Sequence, residues 1–114
     1  MVRKKFKMTN FISTGSTYWI SDEEIQIFEK NATNGDKNSA FKLYQYHMFV
    51  SLDQDSEFKW LEIAAKNGHP IAQSNLADLF FTQGNKEKAI FWAKKAYRNG
   101  AKLPDELKIL ININ

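Results

Sequence analysis

The sequence predicts an all-α protein, a short α-solenoid of antiparallel helix hairpins. Three observations carry that expectation. Asn-Gly pairs recur at Gly35, Gly68 and Gly100, spaced by 33 and 32 residues, as helix punctuation does in a repeat protein. Between them apolar residues fall three and four apart, the spacing of one helix face. The two prolines, Pro70 and Pro104, stand where new helices can begin, since a first helical turn tolerates the missing N–H.

At 114 residues the chain has room for one domain, divided here into a basic and polar segment, residues 1–20, possible as extended chain, and a helical-repeat domain, residues 21–114. Ser21-Asp-Glu-Glu24 has the spacing of a capping box and opens a helix from 21 or 22 to about 33. Gly35 ends it, and Asp36 to Ser39 start a second helix carrying Ala40, Phe41, Leu43, Tyr44, Met48 and Phe49, broken by Asp53 to Ser56. A third helix, about 55–67, presents Phe58, Trp60, Leu61, Ala64 and Ala65 before Gly68. A fourth, about 70–82, shows Ile71, Ala72, Leu76, Leu79 and Phe80; Gly84-Asn85 turns into a fifth, about 86–99, with Ala89, Ile90, Trp92, Ala93 and Ala96. After Gly100, Pro104-Asp-Glu-Leu107 opens a capping helix, although the β-branched run to Ile113 also suits extended chain.

The register pairs Trp60 with Trp92, Ala64 with Ala96, Ala40 with Ala72 and Tyr44 with Leu76. The stretch from Ala72 to Gly100, with Leu76, Ala77, Phe80, Gly84, Ala89, Trp92 and Ala96 in order, resembles the Sel-one-like repeat, a relative of the tetratricopeptide repeat. That resemblance implies a right-handed solenoid of about two full repeats plus capping helices. It expects the small residues Ala77, Gly84, Ala89 and Ala96 where two helices cross closely, with Leu76, Phe80 and Trp92 filling the adjacent core. The likeness extends more weakly to residues 40–68, which keep Trp60, Ala64 and Gly68 but place Gln45, Leu52 and Glu57 where small residues are expected. It predicts a less regular first hairpin. Residues 22–35 match half a unit.

In such repeats the first helix of each hairpin lines a concave face. Carrying the register over aligns Lys42, Tyr46 and Phe49 with Ser74, Asp78 and Phe81, each triplet at i, i+4 and i+7, and these six are the candidate partner-binding residues. The competing expectation is that the aromatics pack on the N-terminal segment through Tyr18 and Trp19.

The chain has no cysteine, which excludes thiolate metal sites and cysteine nucleophiles. His47 is expected as a hydrogen-bonded packing residue, and His69 as a turn residue before proline. Asp53, Asp55 and Glu57 alternate like the start of a calcium loop, but the sixth place lacks glycine and the twelfth is Ala64. They are expected to cap the next helix. No phosphate loop, nucleophile elbow or paired-carboxylate motif stands in the sequence, so the expectation is a protein that is not an enzyme and takes no cofactor or metal.

The net charge is +3, but Arg3, Lys4, Lys5 and Lys7 supply four of the 16 basic residues with no acid among them, and the remainder is near neutral. That argues against nucleic acid as the partner. No apolar run is long enough for a bilayer, and a cytoplasmic address is expected. The family's usual activity is protein binding, and small bacterial immunity proteins include members of this type. The first expectation is therefore an inhibitor or immunity protein that neutralises a toxin or enzyme. A scaffold or adaptor holding a peptide is the alternative, and nucleic-acid binding through the basic tail is third. So short a solenoid has open ends, which a partner or a homo-oligomer would cover.

Overall fold

In a computed structural model of the protein the described residues are 17–112. They form six α-helices and one π-helical turn, with no strand among them: α1 (Asp22–Thr33), α2 (Lys37–Tyr46), the π turn (His47–Ser51), α3 (Gln54–Lys66), α4 (Pro70–Thr82), α5 (Lys86–Arg98) and α6 (Asp105–Leu110). The all-α expectation holds, and most helix boundaries fall within a residue or so of those read from the sequence. The C-terminal stretch is helix to Leu110 and then a turn at Ile111 and Asn112; residue 113 lies outside the described residues, as does the basic stretch of residues 1–7.

Each of the first five helices starts on a side-chain cap. Ser21 Oγ accepts from Glu24 N at 3.2 Å while Ser21 N donates to Glu24 Oε1 at 3.1 Å, completing the capping box. Asp36 and Asp53 accept from Asn38 N and Ser56 N, His69 Nδ1 accepts from Ala72 N at 3.3 Å, and Asn85 Oδ1 accepts from Lys88 N at 3.2 Å. Asp53 thus caps α3, as its place in the acidic run suggested.

Four helices end alike. Gly35 N donates to Ala32 O and Asp36 N to Asn31 O; the same pair of bonds recurs at Gly68 and His69, at Gly84 and Asn85, and at Gly100 and Ala101. This is the Schellman arrangement. In the first three cases the residue after glycine also caps the following helix, so a three-residue link reverses the chain.

At Gly84 the structure corrects the sequence reading. Gly84 has φ +83, and a Cβ placed there would meet nothing within 4 Å, so glycine is needed for the left-handed turn and not for close helix crossing. The other three small residues do serve packing. Ala77, Ala89 and Ala96 have no exposed surface; Ala89 packs in the larger apolar cluster with Leu76 and Phe80, and Ala77 and Ala96 in a second cluster with Ala93, Leu103 and Leu107.

The first hairpin differs. The α-helical hydrogen-bonding of α2 stops at Tyr46 and the chain continues as the π turn, ending on Leu52 at φ 58, a left-handed residue where the other turns use glycine. The apolar periodicity runs on through Met48 and Phe49, so it does not register the change from α to π. Side-chain amides tie successive layers. Asn67 Nδ2 donates to Ala32 O at 3.4 Å; Asn99 Nδ2 donates to Gln73 Oε1 at 2.9 Å, and Gln73 Nε2 to Ala65 O at 3.0 Å. Asn99 and Asn67 hold matching places, and Gln73 lengthens the later tie where its counterpart Phe41 has no amide.

Candidate functional site

Helix α4 positions the site. Its buried side carries Ala72, Gln73, Ser74, Leu76, Ala77 and Phe80. The opposite stripe, Ile71, Asn75, Asp78 and Thr82, follows helical spacing and borders two cavities. The larger, about 810 Å³, lies between the start of α4 and the link from Gly100 to Pro104, with Ile71, Ser74, Asn75, Lys102 and Leu103 among its walls. The smaller, about 310 Å³, lies between α3 and α4, with Tyr44 and Glu57 facing Asn75 and Asp78. Asn75 lines both and joins them into one groove, held by its Nδ2 donating to Tyr44 Oη at 3.2 Å. Burial pushes the Tyr44 hydroxyl above its ordinary pKa, the Asn75 bond works against the shift and the Glu57 charge adds to it. The phenol stays neutral and can both accept and donate.

Of the six expected groove residues, Ser74 and Asp78 border separate cavities along α4, while Phe81, Lys42, Tyr46 and Phe49 line neither. Ser74 lines the larger cavity and Asp78, exposed, the smaller. Phe81 is half-buried against both apolar clusters. Lys42 is exposed, but Tyr46 is in the core at 5% exposure. Phe49 stacks on Tyr18 with ring centroids 4.6 Å apart, the packing that the competing expectation describes. The π turn re-aims residues 47–51, so the spacing of α4 does not carry over to them. Ile71, Asn75 and Lys102 were not among the expected groove residues. Ile71 was legible as an apolar residue beside Pro70 in an exposed first turn, whereas Lys102 sits in a link that periodicity does not describe.

Charge is unevenly spread along the chain. Residues 86–108 hold seven Lys or Arg against three acids, while residues 53–78 hold five acids against two Lys. Neither Glu57 nor Asp78 forms an ion pair with the described residues.

The histidines serve turns. Ser51 Oγ lies 2.7 Å from His47 Nδ1, in hydrogen-bond contact with the ring, and accepts from Asp53 N at 3.2 Å. Burial lowers the pKa of His47, against the raising effect of Asp53. His69 stacks on Phe41 at 4.0 Å, and burial, with Lys37 nearby, lowers its pKa too. Among the described residues no group of three or more His, Cys, Asp or Glu is arranged to hold a metal ion, and no helix is long and apolar enough to cross a membrane.

No family model matches the chain, and no solved structure does. The chain is similar to a protein of Escherichia coli (strain K12) named "Uncharacterized protein YibG", with 33% identity over 95 residues, 77% of this chain and 62% of that protein. The chain thus spans less than two thirds of the length of the curated relative it matches.

Proposed function

We propose that the protein is an interaction module of the Sel-one-like type, a short right-handed solenoid of about two repeats plus capping helices, and that it holds another protein in the groove along α4. The observation that carries this reading is Ile71, a large apolar side chain 54% exposed on the wall of a cavity of about 810 Å³. An exposed apolar residue in a concave site is where a partner gains most from displacing water. The repeated glycine turns at Gly35, Gly68 and Gly100 and the amide ties between helices support the solenoid.

Within that reading an inhibitor or immunity protein of the cytoplasm, acting on a toxin or enzyme, comes first, and an adaptor for a peptide second. Capture on the full chain and on Ile71→Glu tests the module. A partner retained by the parent, lost by Ile71→Glu and kept by Lys94→Glu on the outer side of α5 is expected; a partner indifferent to Ile71 would refute the groove. If removing residues 1–7 abolished capture instead, the basic tail would be the binding element. Adding the protein to its captured partner separates the two roles, since an inhibitor suppresses the partner's activity at one-to-one stoichiometry and an adaptor leaves it unchanged.

A further inference from the structure

The groove at the start of α4 offers hydrogen-bond donors that its own chain does not use. Ser74 is 8% exposed, yet its hydroxyl makes no hydrogen bond to the described residues and remains open to the cavity it lines. A polar group so nearly buried costs stability without a partner, and alanine would fit in its place. The N–H groups of Lys102 and Leu103, in a stretch without regular structure, also donate to none of the described residues. Among the described residues Lys102 is the one charged residue lining this cavity, and it belongs to the basic part of the chain, residues 86–108. The apolar wall is made by Pro70, Ile71, Leu103 and Pro104.

We propose that this groove binds an extended acidic segment of the partner protein. Its main-chain carbonyls accept from the N–H groups of Lys102 and Leu103, its carboxylates face Lys102 and the Ser74 hydroxyl, and an apolar side chain rests on Ile71. Free main-chain donors suit an extended segment, because a helical one has already spent most of its carbonyls internally. The charge selects for acid only at the Lys102 end of the groove, because Glu57 and Asp78 line the other end and repel it there. Nucleic acid is the poorer occupant, since among the described residues no aromatic side chain lines this cavity to stack a base. The inference rests on the interaction-module reading and adds the partner's chemistry.

Random decapeptides displayed on phage and selected on the immobilised full chain provide the test, with the recovered peptides then synthesised and titrated. Enrichment of Asp and Glu beside apolar residues is expected, with affinity falling as salt rises. Lys102→Glu and Ile71→Glu should each weaken binding at least tenfold, as should replacing the peptide's Glu by Gln, while Lys66→Glu on α3 changes little. Ser74→Ala should weaken binding severalfold with an unchanged or higher melting temperature, a combination that a purely structural serine would not give. Selection of basic or uncharged peptides, no enrichment at all, or loss on Lys94→Glu and not on Lys102→Glu would each overturn the assignment. A natural partner that is lost on Ile71→Glu but kept by Lys102→Glu would leave the module standing and remove only the acidic-segment chemistry.

Discussion

Leu52 and Gly84 stand at matching turns in the same left-handed conformation, φ 58 and φ +83, and differ only in whether a side chain must be accommodated there. A non-glycine residue in that region costs roughly 1–2 kcal/mol, and Leu52, 71% exposed, has little packing to set against it. Leu52→Gly should therefore stabilise the protein by about 0.5–1 kcal/mol, the strain relieved less the extra freedom glycine has when unfolded. Gly84→Ala should do the reverse, losing about 1 kcal/mol or more although its Cβ has open space. Urea unfolding of both variants decides this, and equal effects of the same sign would refute it. The histidines give a pH dependence with a definite sign. His47 and His69 have folded pKa values below the ordinary 6.5, so the unfolded chain binds protons more readily. Their contribution to stability is present above about pH 6.5 and is lost as pH falls from there through the folded values. Glu24, Asp36 and Asp53, lowered mainly by hydrogen bonds from Ser21, Ser39 and Ser56, lose theirs in a separate window below their ordinary 4.5 and 3.8. Melting temperatures should fall between pH 7.5 and 5, and His47→Gln with His69→Asn, which keeps a helix cap, should flatten that slope without touching the acid one.

Helices were the most legible part of the sequence because each is bounded by chemistry that acts locally. Caps at Ser21, Asp36, Asp53 and Asn85 and turns at Gly35, Gly68, Gly84 and Gly100 need no distant contact to be recognised. The π turn was not legible, since the side-chain pattern from Leu43 to Phe49 serves an α-helix equally well and only the strained Leu52 marks the irregularity. The groove was half legible for the same reason: Ser74 and Asp78 lie on a regular helix, while Tyr46 and Phe49 lie at and beyond the point where regularity ends. Between α4 and α5 the fully buried Ala77, Ala93 and Ala96 set how closely the helices approach. Ala77→Leu adds three carbons where the wall is already filled and should cost about 1–3 kcal/mol. Gln45→Leu at the counterpart position, where the side chain is half-buried and already of similar size, should cost much less. A smaller loss at position 77 than at position 45, measured by thermal unfolding, would show that the two hairpins are not built on one register.

At the scale of the whole molecule, helices pack mainly on their neighbours in the chain, and the core is two apolar clusters bridged by half-buried Phe81, Trp92 and Leu110. The second cluster is closed by α6, a helix of six residues that has no side-chain cap and depends on Leu107, which is fully buried, and on Leu103 before it. So short a helix has little stability of its own. Leu107→Ala should cost about 2–5 kcal/mol locally, and its effect should fade with distance along the chain, as it does where each unit touches only the next. Amide hydrogen exchange should therefore quicken in α6 and the second half of α5, less in α4, and hardly in α1 and α2, where the tie from Asn67 to Ala32 and the capping box at Ser21 are untouched. Equal loss of protection in all six helices would mean a single cooperative core in place of a stack. Because Lys102 and Leu103 form one wall of the α4 groove, the same substitution should also loosen partner binding, although Leu107 does not line that cavity. Stability of the C-terminal cap and occupancy of the proposed groove are then linked, and a partner bound there should raise exchange protection at the start of α4 and, through the Lys102 and Leu103 wall, in α6.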